Sequence, residues 1–376
     1  MNKRPAIAIA GLSVTMLALG ACGSSSTPKA KTGGTAPKSS ASASSGDKVG
    51  VILPDAVSSP RWEANDRPLL KAAFTAAGIT PDIQNANADK SKFASLCDSM
   101  INENVKVLLI TNLDSNSGSA CLKKAQTAGI KTIDYDRLTL GGGASYYVSF
   151  DNVAVGKLMG DGLSKCLTAE GKTSGVKLVL IDGDPTDNNA ALFKQGYKEA
   201  LQPMIAAGKY KIVGEQTGLW NETKAATAFE QLFTQANGKV DGVVSANDTM
   251  AGGIIGRLKA NGLAGKVPVT GQDASKEGLQ RILAGTQCMT VYKAIKKEAD
   301  AASQLAIALI KGQDASSIAT GKVMDTVLKK DVPSALELPQ AIFKDNIKIP
   351  IADGFQTKAD VCIPAVMAAC TAAGIS

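Results

Sequence analysis

The sequence predicts an α/β protein of two Rossmann-like lobes, each a parallel sheet flanked by helices. Short apolar runs of strand length alternate with segments whose apolar residues fall at helical spacing. The alternation repeats too often for one sheet, and 376 residues suffice for two domains with cores of their own. The apolar runs also end, again and again, in Asp, Asn, Gln or Arg, at the place where open parallel sheets bind their ligands.

The first run, Val49–Leu53, stops at Pro54. A helix over Trp62–Ala77 follows, with Leu69, Leu70, Ala73, Phe74 and Ala77 at helical spacing and Gly78 as its stop. A helix over Lys90–Glu103 leads to a strand at Val105–Ile110. A helix over Ser117–Ala128 ends at Gly129 before the strand Lys131–Tyr135. After Asp151 the alternation resumes with a helix to Leu167, the strand Val176–Ile181, the helix Asn188–Ala206 and the strand Lys211–Gly214. Thr223–Gln235, Val240–Ala246, Asp248–Ala260 and Val267–Gly271 continue it. Such alternation argues for right-handed βαβ units.

The informative strand ends are Pro54-Asp55, Thr111-Asn112, Asp136-Arg137, Asp182-Gly183-Asp184, Asn247-Asp248 and Gln272-Asp273. Asp136 and Arg137 set an acceptor beside a five-donor fork, which suits a ligand with adjacent hydroxyls. One exposed ion pair is worth little. The recurrence of polar ends singles out the set, although Asp248 also fits a plain helix N-cap.

Composition excludes several classes. The chain has no histidine, which removes His-based triads and the commonest zinc sites. Its net charge of +7 includes Lys3 and Arg4, and the other lysines are scattered, so there is no nucleic-acid footprint. No cofactor and no metal are expected. Asp182, Asp184 and Asp187 lack the glycine and distal glutamate of a calcium loop. Gly171-Lys172-Thr173 is preceded by Cys166 where a phosphate loop needs glycine, and Gly252–Gly256 misses the dinucleotide pattern.

Residues 1–22 read as an export signal: Lys3 and Arg4, then an apolar core Ala6–Leu19 too short for a spanning helix. It ends in Leu19-Gly20-Ala21-Cys22, which resembles the bacterial lipobox, so lipidation is expected at Cys22. A single diacylglyceryl anchor would then hold the protein on the outer face of the cytoplasmic membrane. Residues 23–47, rich in Ser, Thr, Ala, Gly, Lys and Pro, are expected to form a disordered tether with a reach of roughly 25–30 Å. Six cysteines remain, Cys97, Cys121, Cys166, Cys288, Cys362 and Cys370, an even number in an exported protein. Proximity in sequence favours Cys97–Cys121 and Cys362–Cys370 among the possible pairings.

Several stretches resemble one family in its own order. They are 60–63 (Pro-Arg-Trp-Glu), 135–137 (Tyr-Asp-Arg), 148–152 (Val-Ser-Phe-Asp-Asn), 183–190 (Gly-Asp-Pro-Thr-Asp-Asn-Asn-Ala), 245–248 (Ser-Ala-Asn-Asp), 271–274 (Gly-Gln-Asp-Ala) and 284–293. The chain resembles the periplasmic sugar-binding proteins of ABC importers, ribose-binding type, in the pattern of the xylose-binding members. The resemblance implies a periplasmic binding protein type I fold, two lobes joined by a three-strand hinge. It places the crossings near Phe150–Asn152, Lys293 and Thr326. The N-terminal lobe would be 48–151 plus 294–325, and the C-terminal lobe 152–293 plus 326–376.

The resemblance also implies the site. Arg61 and Trp62 would lie at the edge of the cleft, with the indole covering the C–H face of a sugar ring. Asp136 and Arg137 would grip neighbouring hydroxyls from the N-terminal lobe. Asn188 or Asn189, Asn247, Asp273 and Lys293 would do so from the other lobe and the hinge. Trp220 is either a second stacking platform or a lobe-surface residue, and Phe193, after the Asn pair, either lines the pocket or, the better explanation, packs in the core. The expected partners are a monosaccharide (xylose or a related aldose such as glucose), an ABC permease and the membrane through the lipid anchor, with the protein a monomer. Three rivals remain: a sensor domain signalling closure to a membrane partner, a sugar-responsive transcription factor, and an exported enzyme using Asp136 and Asp273 as paired carboxylates. The export signal and the missing helix-turn-helix oppose the second.

Overall fold

The computed structural model describes residues 46–375. The signal segment with Cys22, and the tether up to Ser45, lie outside the described residues.

The first lobe grows around β1 (Lys48–Leu53), whose residues from Val49 onward are buried. A run covered on both faces reads as apolar throughout, as expected of a central parallel strand. A π-helical turn at Trp62–Asp66 and α1 (Arg67–Ala76) lead to β2 (Thr80–Asn85), and α2 (Lys90–Asn102) leads to β3 (Val107–Ile110). Next come α3 (Ser115–Thr127), β4 (Lys131–Tyr135) and β5 (Tyr146–Phe150). The Asp89 and Asp114 side chains cap α2 and α3 by accepting backbone N–H bonds in their first turns.

The chain then crosses to the second lobe. Here α4 (Asn152–Ala169) packs on α5 (Asn188–Ala206), and β6 (Val176–Asp182) lies between β7 (Tyr210–Thr217) and β8 (Gly242–Ser245). The helices α6 (Glu222–Gln235), α7 (Asp248–Ala260) and α8 (Lys276–Leu283) precede β9 (Thr290–Tyr292). After β9, α9 (Ile295–Ile310) returns to the first lobe. Its Ala299, Ala302, Leu305 and Ala306 share a core with Val49, Val51 and Ile133.

The strands β10 (Gly321–Asp325) and β11 (Lys330–Glu337) complete a seven-stranded sheet in the order β10-β11-β5-β4-β3-β1-β2, parallel except for β10. Finally β12 (Gln340–Ile342) pairs with β9 in the second lobe. The tail helices α10 (Ile349–Ala352), α11 (Lys358–Val361) and α12 (Met367–Ala372) pack beside α8. The fold is that of a type I periplasmic binding protein.

Three expectations need correction. The third crossing is not near Thr326: β10 and β11 both hydrogen-bond into the first sheet, so the chain leaves that lobe only after Glu337. The span 326–337 therefore belongs with the first lobe. The strand β2 has no counterpart in the sequence reading, because Thr-Pro-Asp-Ile-Gln-Asn carries a proline and few apolar residues. At the sheet edge that composition is tolerated. The expected strand Val267–Gly271 contributes one parallel bridge, Val243 to Val269. Disulfides join Cys97 to Cys121 and Cys362 to Cys370, and a third joins Cys166 of α4 to Cys288 ahead of β9.

Candidate functional site

The carboxyl ends of both sheets face one narrow cavity of about 30 Å³, lined by residues of both lobes. From the first lobe the loop after β1 supplies Ser58 and Ser59. It is tied by the Asp55 carboxylate, which accepts from the backbone N–H groups of Val57 and Ser58 at 2.7 and 2.5 Å.

Asp136 follows β4 in a left-handed conformation, φ +64°. A non-glycine residue there stores strain unless its surroundings hold it. Here the Asp136 carbonyl accepts from Tyr147 Oη (3.0 Å), Ser149 Oγ (2.8 Å) and Asn189 Nδ2 (2.9 Å). Its carboxylate accepts from Arg61 Nη1 at 2.7 Å and Asn189 Nδ2 at 3.1 Å. Burial pushes this carboxyl up, but Lys293, Arg61 and Arg137 together hold it below the usual carboxylate range. Arg137 and Asn112 exchange bonds: Asn112 Nδ2 donates to the Arg137 carbonyl (3.1 Å) and Arg137 Nη1 to the Asn112 carbonyl (3.2 Å).

Arg61 corrects the sequence reading. It lies in the buried floor of the cavity, not at its edge, and four of its five N–H donors are committed to carboxylates of Asp66, Asp136 and Glu298. Burial opposes the guanidinium charge, and those carboxylates more than offset it. The Trp62 ring lies 4.4 Å from Arg61 Cζ and 5.6 Å from Arg137 Cζ, and its Nε1 donates to Ser58 Oγ at 3.2 Å.

In the second lobe Trp220 also lines the cavity, edge-on to Phe193 with centroids 6.2 Å apart. Its Nε1 donates to Asp187 Oδ2 at 3.2 Å. Gly183 permits this approach, since a Cβ there would overlap the indole. Asn247 caps α7 and reaches across the cleft, donating from Nδ2 to the Ser58 carbonyl at 2.9 Å. Asp273 has φ +98° and its N–H donates to the Val291 carbonyl at 2.9 Å. Lys293, just after β9, stands 3.3 Å from Asp273 Oδ1 and 3.7 Å from Asp136 Oδ2, so one ammonium joins a carboxylate of each lobe.

The cavity thus brings together Arg61, Trp62, Asp136, Arg137, Asn189, Trp220, Asn247, Asp273 and Lys293. It leaves out Asn188, which is half-buried in the first turn of α5. Consecutive helical residues point about 100° apart, so only one of the two asparagines faces inward. The sequence reading missed Ser58, Ser59, Asp187 and Gln272 as wall residues, and of its two readings of Phe193 it favoured the core over the pocket that Phe193 lines. Gln272 and Asp187 lay inside segments already singled out, next to Asp273 and Asn188. Nothing in the sequence marked the two serines.

Two properties define what this wall accepts. Its charges balance, with Asp136, Asp187 and Asp273 against Arg61, Arg137 and Lys293. Among the described residues several buried polar atoms also lack a hydrogen bond: Ser59 Oγ and Gln272 Oε1, and, within ion pairs, Arg137 Nε and Asp273 Oδ1. Such atoms are costly unless something pairs with them.

A binding chamber between two parallel-sheet lobes, at the carboxyl ends of their strands, defines a two-lobed solute-binding protein. The chain belongs to the periplasmic binding protein family, whose domain pattern matches residues 49–314. It is 39% identical over 325 residues to the D-xylose-binding periplasmic protein of Haemophilus influenzae, covering 86% of this chain and 94% of that one. It is 37% identical to the D-xylose-binding periplasmic protein of Escherichia coli, covering 84% and 92%. Among solved structures it matches a carbohydrate transporter solute-binding protein from Chloroflexus aurantiacus in complex with D-glucose. That match has a TM-score of 0.76 and 29% identity, covering 84% of this chain and 98% of that one.

Proposed function

We propose that this protein is an extracytoplasmic, lipid-anchored receptor that captures one monosaccharide, xylose or a close aldose, and delivers it to an ABC transporter. The carrying observation is the set of buried atoms that make no hydrogen bond among the described residues, around a charge-balanced chamber: Ser59 Oγ and Gln272 Oε1, with Arg137 Nε and Asp273 Oδ1 held by ion pairs alone. A neutral polyol satisfies all of them, because each hydroxyl both donates and accepts. An ionic ligand would upset the balance of three acids and three bases. Trp62 and Trp220 supply aromatic faces for the ring's C–H surfaces. The sugar touches both lobes, so it favours their closed arrangement by its differential affinity, and no bond is made or broken. Similarity to D-xylose-binding relatives supports the aldose, and Leu19-Gly20-Ala21-Cys22 supports the anchor.

The test is a thermal-shift and calorimetric panel of xylose, glucose, ribose, arabinose, galactose and inositol on the protein without residues 1–22. A sugar at 100 times its Kd should add about 2.7 kcal/mol of stability. The chain's two tryptophans both line the chamber, so intrinsic fluorescence should change with the same sugar. A panel with no response in either measurement rejects the reading. For the anchor, metabolic labelling with a clickable fatty acid should mark the full chain and not Cys22→Ala.

A further inference from the structure

Asp248 does not touch the chamber, yet the second-lobe half of the site converges on it. It is fully buried at the start of α7, and its carboxylate accepts four hydrogen bonds. Oδ2 receives Ser275 N (2.9 Å), Ser275 Oγ (3.2 Å) and Thr290 Oγ1 (3.0 Å), and Oδ1 receives Gln287 Nε2 (2.6 Å). Its backbone N–H donates to the Gln272 carbonyl at 3.0 Å, and its carbonyl accepts from Arg281 Nη2 at 2.6 Å. These partners come from the loop 271–275, from α8 and from the approach to β9. Gly271 and Gly278 leave the carboxylate room, since a Cβ on either would overlap it.

The loop so gripped carries two acceptors without a hydrogen bond, Gln272 Oε1 and Asp273 Oδ1, the second facing only the Lys293 ammonium at 3.3 Å. It carries them on unfavourable backbone: Asp273 has φ +98° and Ala274 φ +48°. Strained residues persist only where their surroundings over-determine them. A plain N-cap needs one acceptor toward its own helix, but Asp248 directs its carboxylate away from α7, and Asn247 already supplies that cap.

We propose that Asp248 is the positioning residue of the sugar site, clamping the loop 271–275 so that Gln272 and Asp273 face the ligand's hydroxyls. The proposal rests on the sugar-binding reading above. Asparagine in its place keeps the volume but turns one acceptor into a donor that faces other donors. The loop then relaxes toward ordinary backbone angles, and the Asp273 carboxylate withdraws from the chamber.

The experiment is a double-mutant cycle read by calorimetry with D-xylose, on wild type, Asp248→Asn, Asp273→Asn and the double variant. Asp248→Asn should weaken binding at least tenfold, and in the Asp273→Asn background by at least threefold less than in wild type, because only the Gln272 contact then remains to be lost. Wild-type affinity in Asp248→Asn, or losses that multiply in the double variant, overturns the positioning role. Thr290→Val, which removes one bond to Asp248, is the milder companion and should show a smaller loss of the same sign. Hydrogen exchange without ligand separates this from the sugar reading. The Asp273 amide should exchange at least tenfold faster in Asp248→Asn while the α5 amides keep their protection. Unchanged Asp273 protection overturns the proposal even if wild type binds no sugar of the panel.

Discussion

Arg137 Nε and Asp187 Oδ2 lie 3.0 Å apart across the meeting of the two lobes, both side chains buried. The pair is ionic without being a hydrogen bond, because this N–H finds no aligned acceptor. Charge attraction thus draws the lobes together while the donor stays free for a ligand hydroxyl. Burial lifts the Asp187 carboxyl above its ordinary range, against the pull of Arg137.

Removing that donor should cost affinity and little stability. A charge-assisted bond contributes about 1.5–3 kcal/mol, so Arg137→Ala should raise Kd for the sugar by about ten- to hundredfold. Asp187 keeps its bonds from Asn189 N and Trp220 Nε1, and burial already raises its carboxyl toward the neutral form, so the unliganded melting temperature should stay within a few degrees. Calorimetry and unliganded melting curves check the two halves separately.

Asp273→Ala tests the facing wall. Lys293 loses its 3.3 Å partner but keeps Asp136 at 3.7 Å, so no cation is left unpaired. The ligand-induced thermal shift should vanish while the unliganded fold persists. A wild-type shift in both Asp273→Ala and Arg137→Ala would show that these residues do not contact the ligand.

Arg61 should behave in the opposite way. Its guanidinium joins Asp66, Asp136 and Glu298 in the first-lobe interior, and burial already lifts Glu298 well above its usual range. Arg61→Met leaves buried carboxylates without a cation, a loss of roughly 3–5 kcal/mol. Chemical denaturation of the unliganded protein should show it as a lower midpoint. An unchanged midpoint would make Arg61 a ligand contact and not a keystone.

Asp134 gives a pH dependence of known sign. It is buried, its only donors among the described residues are Thr139 N and Thr139 Oγ1, and burial pushes its carboxyl up to about 7. Between the unfolded value of about 4 and that folded value, the native state binds more protons than the unfolded one. Its contribution to stability therefore falls as pH rises through this window, by up to about 1.4 kcal/mol per pH unit. Asp134→Asn should remove that slope, as measured by urea midpoints from pH 4 to 8.

The Cys166–Cys288 bridge closes a far longer stretch of chain than Cys362–Cys370, with separations of 122 and 8 residues. Replacing both Cys166 and Cys288 by alanine should cost roughly 2–4 kcal/mol, by freeing the unfolded chain. The Cys362–Cys370 pair should cost less, and paired denaturation curves give the order.

Much of this architecture was legible in the sequence because its signals are local. The buried run of β1, and Gly78 and Gly129 at left-handed helix stops, are written in neighbouring residues. The strand ends carrying Asp136, Arg137 and Asp273 stood out for the same reason. The strand β2 did not, because an edge strand is kept by its neighbour β1 and not by its own composition.

What only the tertiary structure decided concerns residues whose meaning lies in distant partners. Arg61 looked like a residue at the cleft edge until Glu298, from a helix that returns after the second crossing, closed around it. Asp248 resembled an ordinary cap until Ser275, Gln287 and Thr290 arrived at its carboxylate. The third crossing moved to the end of β11 because strand partnership is fixed by hydrogen bonds to β5, nearly two hundred residues earlier in the chain. Periodicity and capping act within a few residues and leave their mark in the sequence. Long-range hydrogen bonds and buried charge pairs exist only once folding has brought their two ends together.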